Sequence, residues 1–284
     1  MAIIERSLQE LGKSLFVSLP KEWATLLKLK KGSKVKINYM ENSALSIAPE
    51  FTKEIKKKEV EVLYDEQFRR KFYREYFEGY DKIVLVFKNK IGEKEKKELY
   101  SFFKMFMNVQ IIEENETKLI LKSFKIEDLS IEECLKRMHF LCLGMLEEIG
   151  SKNKASIREM RNTMTRFYYM LVMQIRRFLE EGKFAKENQI PLVRAMDFRM
   201  AAEKIQRIGE IAENYKTSQI NSSIMKTVID YYSRAFFSFL NTNFENALSL
   251  WSEEKLLKKK LEKSADNDLL QIIRYSKEIS MLVR

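Results

Sequence analysis

The strongest constraint on the fold is the regular spacing of apolar residues over the second half of the chain. From Ser130 onward, apolar side chains recur every three or four positions, as in Ile131, Leu135, Met138 and Cys142. This spacing places them along one face of an α-helix. The 284 residues include only 8 Gly and 3 Pro, the residue types that most often interrupt helices. The sequence therefore predicts a mainly α-helical protein.

The helical part, residues 129–284, is predicted to contain six helices. The first begins at Ser130, which forms an S-x-x-E capping box with Glu133. The second carries the apolar series from Met164 to Leu179, and the third the series from Ala201 to Tyr215. The remaining three are expected at about 222–240, 244–262 and 266–283. Helices joined by short loops pack antiparallel, which predicts a pair of three-helix bundles.

Residues 1–50 show a different, β-α-β pattern. A short strand is predicted over Ser14–Ser18, followed by a helix that Pro20 opens and Lys31-Gly32 ends. Residues 35–39 alternate between apolar and polar, which is typical of a half-buried strand, and residues 45–47 supply its partner. So few large apolar side chains form only a thin core. We therefore expect this module to dimerise through shared strands.

Between these parts, residues 59–124 predict a small α+β domain. The predicted elements are a strand over Glu59–Leu63, a helix through Phe68, Phe72 and Tyr76, a buried strand at 83–87, a helix over Glu93–Met107, and a hairpin of Val109–Ile112 with Lys118–Leu121 across Asn115-Glu116. Phe51 to Lys58 forms a charged connector in front of this domain.

The chain carries a net charge of +11, from 52 Lys and Arg against 41 Asp and Glu. Residues 1–58 hold 12 of the cations and 6 of the acids, so about half of the excess lies in a fifth of the chain. Such a focus suits a polyanionic partner, either nucleic acid or a membrane surface. No run of 18 apolar residues is present, so membrane insertion is not expected. Two scattered cysteines fit a cytoplasmic protein.

A motif of some forty residues lies in the N-terminal module. It consists of Glu5-Arg6, Gln9, Gly12-Lys13-Ser14, Val17 to Trp23, and Leu29 to Val35. In order and spacing, these residues resemble the SpoVT/AbrB-like swapped-hairpin family. The resemblance implies a homodimer of interleaved hairpins that presents basic residues to double-stranded DNA.

Four residues of this motif are candidates for DNA contact: Arg6, Lys13, Ser14 and Lys21. Lys and Arg on a paired-strand surface neutralise phosphates and release counterions. Arg6 is also suited to reading a guanine edge, but it is the one arginine among the lysines of residues 1–50. Lysine acts as a point charge and specifies sequence poorly. We therefore expect weak or shape-based recognition.

The helical region contains three further motifs, at Thr165 to Ile175, Met196 to Arg199 and Gln206 to Asn214. Together they resemble the PhoU family of phosphate uptake regulators over about residues 129–284. The combination with the N-terminal module is similar to a mainly archaeal group of such regulators. The resemblance implies a link to phosphate uptake or signalling, which no phosphate-binding motif in the sequence supports independently.

PhoU proteins often bind metal clusters through E-x-x-x-D pairs. At the corresponding positions this chain has Glu159, Arg161, Asn162, Thr163 and Thr165 in one motif, and Gln206 with Glu210 in the other. Hard cations require several carboxylate oxygens, and an arginine repels them. We therefore predict no metal cluster and no cofactor. Glu203, Glu210 and Glu213 remain as residual candidates for a metal site.

An enzymatic function is not expected. His139 and Cys142 lie on the apolar face of one predicted helix, which favours packing in the core over catalysis. P-loop, G-x-G-x-x-G, H-E-x-x-H and C-x-x-C motifs are missing from the sequence.

The sequence thus predicts a DNA-binding transcriptional regulator. Its helical bundles are expected to dock with a phosphate transporter, a signalling protein or a small effector. One alternative is a dimeric PhoU-like adaptor that never touches DNA. A second is an antitoxin, although antitoxins usually follow this module with a short tail.

Overall fold

The computed structural model describes residues 5–39, 45–49, 59–124, 129–149, 153–181, 191–216, 222–262 and 266–283. The chain divides into two compact units, Met1–Lys56 and Lys57–Arg284, here named the N-terminal unit and the C-terminal unit. Residues 59–124 and 129–284, which the sequence suggests as two domains, both lie within the C-terminal unit.

The N-terminal unit consists of two antiparallel hairpins and a short helix. Its elements are β1 (Gln9–Leu11), β2 (Ser14–Phe16), α1 (Lys21–Leu26), β3 (Val35–Tyr39) and β4 (Leu45–Pro49). Strand β1 pairs with β2, and β3 pairs with β4. The β3–β4 pair confirms the predicted second hairpin.

Two details of this unit differ from the sequence prediction. The predicted strand over Ser14–Ser18 ends at Phe16, and it pairs with β1, a strand that the pattern did not indicate. The helix ends at Leu26 and does not continue to Lys31-Gly32. It stops early because Lys28 adopts a φ of 53°, a left-handed conformation that cannot continue a right-handed helix.

The first part of the C-terminal unit is a four-stranded sheet with two helices. Its elements are β5 (Glu59–Leu63), α2 (Phe68–Phe77), β6 (Lys82–Val86), α3 (Glu93–Phe103), β7 (Val109–Glu114) and β8 (Lys118–Ser123). The strand order is β5-β6-β8-β7, with β5 parallel to β6 and the other pairs antiparallel. These elements confirm the predicted α+β arrangement, except that α3 ends at Phe103 and does not reach Met107.

An aromatic core joins this sheet to its helices. Phe72 and Tyr76 of α2 pack with Phe102 of α3 and with Leu85 of the buried strand β6. The Tyr76 hydroxyl donates to Asn108 Oδ1 at 2.7 Å, so the polar end of this fully buried ring is satisfied. The helical spacing of the aromatic residues thus encoded the face that covers the sheet.

The described residues from Ile131 onward are mainly helical. The described residues form α4 (Ile131–Glu147), α5 (Lys154–Glu181), α6 (Leu192–Asn214), α7 (Ser222–Leu240), α8 (Phe244–Glu262) and α9 (Asn267–Ser280). The capping box at Ser130 is confirmed. Ser130 Oγ accepts a hydrogen bond from the Glu133 backbone amide at 3.1 Å, and the Ser130 backbone amide donates to Glu133 Oε2 at 2.8 Å. Helix α6 begins nine residues before the predicted apolar series, directly after Pro191.

These six helices form two groups of three that share one core. Helices α4, α5 and α6 contact one another, as do α7, α8 and α9. Contacts of α6 with α9 and of α4 with α7 join the groups, and their buried residues form a single cluster. The predicted pair of bundles is therefore fused into one six-helix body.

The sequence correctly placed His139 and Cys142 in the core. His139 is fully buried, and its ring stacks on Phe236 with centroids 3.8 Å apart. Cys134 and Cys142 are free and buried. Within the described ranges, no helix combines the length and apolar character needed to cross a bilayer.

Candidate nucleic-acid interface

The candidate DNA-binding surface is built on the tight hairpin of β1 and β2. Gln9 pairs with Phe16 and Leu11 with Ser14, which leaves Gly12 and Lys13 as a two-residue turn. Gly12 has a φ of +66°, which a first central residue adopts in a type II′ turn and which favours glycine. This local geometry places Lys13 at the tip of the hairpin.

All four residues predicted to contact DNA are exposed to solvent. Lys13 and Ser14 lie together in the turn and at the start of β2. Arg6 precedes β1, and Lys21 is the first residue of α1. Lys13 and Ser14 are thus adjacent at the hairpin turn, whereas Arg6 and Lys21 lie on other segments of the same unit.

Sequence reasoning passed over five further exposed cations of this unit. They are Lys28, Lys30, Lys31, Lys34 and Lys36. Lys34 and Lys36 flank Val35 at the start of β3, so the alternation that identified this strand already placed them on its outer face. With Arg6, Lys13 and Lys21, residues 5–39 carry eight exposed cations against three exposed carboxylates.

None of these eight cations forms an ion pair with another described residue. Within the described residues, no carboxylate neutralises these charges through an ion pair. Exposed, unpaired Lys and Arg side chains bind phosphate oxygens without first breaking an internal contact, and they displace condensed counterions when they do so. This part of the chain is chemically suited to a polyanion.

The same unit exposes a large share of its apolar side chains. Leu11 is 72% exposed and Leu26 is 79% exposed. The other exposed large apolar residues are Leu8, Leu15, Phe16, Val17, Ile37 and Leu45. Among the side chains described in residues 5–49, none is buried. A unit without an internal core is not stable by itself, so these side chains need a covering surface.

Comparison with known proteins assigns this unit. Residues 8–54 match the protein family described as antidote-toxin recognition MazE, bacterial antitoxin. These residues form a MazE/AbrB-type domain. The match agrees with the swapped-hairpin resemblance seen in the sequence, and it covers only this part of the chain. No curated protein and no solved structure matches the chain.

The three residual metal candidates lie along α6, and each faces an arginine. Glu203 is 3.7 Å from Arg199, and Glu210 accepts from Arg207 at 3.2 Å. Glu213 lies 3.8 Å from Arg158 and 3.8 Å from Arg161. Over the described residues, no three His, Cys, Asp or Glu side chains converge as a metal site requires. These glutamates act as counter-charges to arginines.

Proposed function

We propose that the protein is a homodimeric, DNA-binding transcriptional regulator that contacts DNA through its N-terminal unit. The observation that carries the proposal is the set of eight exposed cations on a MazE/AbrB-type domain, none of which forms an ion pair within the described part of the chain. Lys13 at the hairpin tip, together with Arg6, Ser14 and Lys21, forms the predicted contact set. Phosphate neutralisation supplies most of the binding free energy in such a surface.

The exposed apolar residues support the dimer. A second copy of the N-terminal unit offers side chains of the same kind, and a twofold interface brings identical patches together. Burial of each large aliphatic side chain contributes roughly 1.5–3 kcal/mol. Interleaving of two such units therefore creates the core that one unit lacks, and it doubles the cationic surface.

The composition of the cationic surface favours weak sequence discrimination. Arg6 is the one arginine among the eight cations, and arginine is the side chain that reads guanine through two parallel hydrogen bonds. Lysines position a protein on the phosphate backbone without reading bases. The proposed regulator therefore recognises DNA mainly through charge and shape.

For the helical region, the proposal rests on the PhoU resemblance of the motifs at residues 165–175, 196–199 and 206–214. It connects the regulator to phosphate uptake or signalling. In this scheme the helices bind a transporter, a signalling protein or a small effector, and that binding changes the availability of the DNA-binding units.

The proposal assigns no catalytic step. Burial raises the pKa of the Cys134 and Cys142 thiols to about 12, so both remain protonated and poorly nucleophilic at neutral pH. Burial also lowers the pKa of His139 to about 3, far below the range in which an imidazole exchanges protons with a substrate.

The deciding experiment measures affinity for duplex DNA against salt concentration. The full chain is compared with an Arg6→Ala/Lys13→Ala/Lys21→Ala variant. The control is Arg70→Ala/Lys94→Ala/Lys97→Ala, which removes the same charges from exposed positions of the C-terminal unit. The slope of log K against log salt concentration is negative, and each lost phosphate contact reduces its magnitude by about 0.9. We expect a shallower slope and weaker binding only for the N-terminal variant.

Absence of DNA binding at low salt would leave the adaptor as the better description, in which the N-terminal unit serves only to dimerise. Equal binding by both variants and the wild type would move the DNA site off the hairpin.

The matched family favours a second candidate, an antitoxin. Its description concerns recognition of a toxin by its antidote. In this chain the matched residues are followed by a folded body with a continuous core, whereas antitoxins of this type usually end in a short tail. Relief of growth arrest, when the chain is co-expressed with the product of an adjacent gene, would favour this candidate.

A further inference from the structure

A solvent-accessible cavity of about 300 Å³ lies between α5 and α6. Its walls come from one face of each helix: Arg161, Thr165, Tyr168 and Tyr169 on α5, and Arg199, Glu203, Gln206, Arg207 and Glu210 on α6. Its volume is at the lower end of the range for small-molecule sites, roughly 300–1,000 Å³.

Three hydrogen-bond donors on the residues lining this cavity are buried and have no acceptor among the described residues. They are Arg161 Nε, Arg199 Nη1 and Gln206 Nε2. A buried donor without an acceptor costs about 1–3 kcal/mol, and more when it is charged. Native proteins seldom leave such groups unpaired without a ligand, an ion or a functional reason. Three such donors on residues that line one cavity make it a candidate site for an acceptor.

The orientation of Gln206 follows from its contact with Arg161. Arg161 Nη1 donates to Gln206 Oε1 and, at 2.6 Å, to Thr165 Oγ1. Because the amide oxygen is engaged by the guanidinium, the amide nitrogen is left as the unpaired donor. Gln206 is only 8% exposed as a residue, and its Nε2 atom is buried, so bulk water does not solvate this nitrogen freely.

The carboxylates near the cavity do not satisfy the two arginine donors. Glu213 Oε2 is 3.8 Å from Arg161 Nε, and Glu203 Oε2 is 3.7 Å from Arg199 Nη1. These distances allow charge attraction but exceed those of a hydrogen bond. Glu210 accepts from Arg207 at the more exposed rim. An added anion therefore gains hydrogen bonds that the carboxylates do not make.

We infer that this cavity binds a phosphate group, either inorganic phosphate or the phosphoryl end of a small phosphorylated metabolite. Phosphate offers several acceptor oxygens in a tetrahedral arrangement, which suits donors carried by two facing helices, and guanidinium groups form strong charge-assisted bonds with it. The site lies in the C-terminal unit and goes beyond the proposed DNA binding, on which it does not depend.

The test is isothermal titration calorimetry on the full chain in a buffer free of phosphate and sulfate, at constant ionic strength and without DNA. Inorganic phosphate, glycerol 3-phosphate and acetate are titrated separately. We expect saturable binding of phosphate, of glycerol 3-phosphate or of both. The ligand that binds more tightly shows whether the cavity prefers inorganic phosphate or a phosphorylated metabolite. Acetate should not bind measurably.

Three variants each replace one of the donor residues: Arg161→Gln, Arg199→Gln and Gln206→Met. We expect the arginine variants to bind phosphate about tenfold to a hundredfold more weakly, and Gln206→Met about threefold to tenfold more weakly. Arg274→Gln is the control, because it removes the same charge from an exposed position on α9. Circular dichroism verifies that each variant folds. If Arg161→Gln does not fold, Arg199→Gln and Gln206→Met still test the inference.

Three results with these ligands and cavity variants would overturn the inference. They are the lack of any saturable phosphate binding, equal weakening by Arg274→Gln, and acetate binding as tight as that of phosphate. The Arg6→Ala/Lys13→Ala/Lys21→Ala variant separates this site from the proposed DNA surface. It should bind phosphate like the wild type, and a loss of phosphate binding in that variant would place the anion on the N-terminal unit instead.

Discussion

The hydroxyl oxygens of Tyr73 and Tyr169 lie 3.0 Å apart, and this hydrogen bond joins helix α2 of the α/β part to helix α5 of the helical body. The contact is surrounded by apolar packing. Phe106 stacks on Tyr169 with an interplanar angle of 11°, and Met173 of α5 is buried within the aromatic core of the sheet. Helix α5 thus belongs to two cores, and it also supplies one wall of the proposed phosphate cavity.

The Tyr73–Tyr169 bond should contribute measurably to the coupling of these two parts. We expect Tyr73→Phe and Tyr169→Phe each to lower the free energy of unfolding by about 1 kcal/mol. The double variant should lose less than the sum, because each substitution already breaks the same bond. Urea denaturation measures all three. Tyr64→Phe, in the same aromatic cluster, is the control, and strict additivity would show that the two hydroxyls are not coupled.

His139 should make the stability of the protein sensitive to acid. Burial lowers its pKa to about 3, and neither ring nitrogen has a hydrogen-bond partner among the described residues. The unfolded state, with an ordinary His pKa of about 6.5, therefore binds the proton more tightly than the folded state. This contribution to stability is complete above pH 6.5 and falls between pH 6.5 and 3, by up to about 1.4 kcal/mol per pH unit.

Comparison with His139→Leu isolates this effect from the titration of carboxylates. The difference in unfolding free energy between wild type and variant should be constant above pH 7 and should move in favour of the variant below pH 6. Urea denaturation between pH 4 and 8 measures it. Parallel stability curves over the whole range would mean that His139 takes up its proton in the folded state without penalty.

Glu254 should act as an ionic clamp between α8 and α9. Its carboxylate accepts from Lys258 of α8 at 2.7 Å and from Lys277 of α9 at 2.8 Å. Burial acts to raise the pKa of Glu254, but hydrogen bonds and charge attraction from the two lysines outweigh it and lower the pKa. The clamp therefore stabilises the fold above the ordinary carboxyl pKa of about 4.5 and is lost as the pH falls below it.

The substitution Glu254→Gln should cost about 2 kcal/mol at pH 7, because it removes two charge-assisted hydrogen bonds from a buried site. The partial exposure of both lysines keeps the cost below that of a fully buried pair. The variant should approach the wild type in stability below pH 4. Glu245→Gln, at an exposed position of the same helix, should change stability by only a few tenths of a kcal/mol. A loss independent of pH would attribute the effect to packing.

A charge placed on the exposed apolar surface of the N-terminal unit should prevent dimerisation. Leu15 lies in β2 and is 68% exposed in the single chain. We expect Leu15→Asp to halve the molar mass measured by light scattering, because burial of a carboxylate without a partner in the proposed interface is strongly unfavourable. Gln9→Asp, on the neighbouring strand β1, is the control with an exposed polar residue. An unchanged mass for Leu15→Asp would locate the dimer contact elsewhere.

Features with a short sequence period were readable from the chain alone. The three-to-four spacing after Ser130 indicated the helices and their buried faces, the alternation around Val35 and Ile37 indicated a strand, and the capping box at Ser130 marked a helix start. The N-terminal motif was recognisable because its residues follow one another within forty positions. Each of these signals depends on backbone geometry and on neighbours a few residues away.

Other features were decided by the tertiary structure. Arg161 and Gln206 are separated by 45 positions, and Tyr73 and Tyr169 by 96, so no local period relates either pair. Their proximity depends on how α5 packs against α6 and α2, which is set by the shapes of many side chains together. The sequence read Arg161 and Gln206 as a departure from an acidic motif. Only the packing of the two helices placed both side chains on the wall of one cavity.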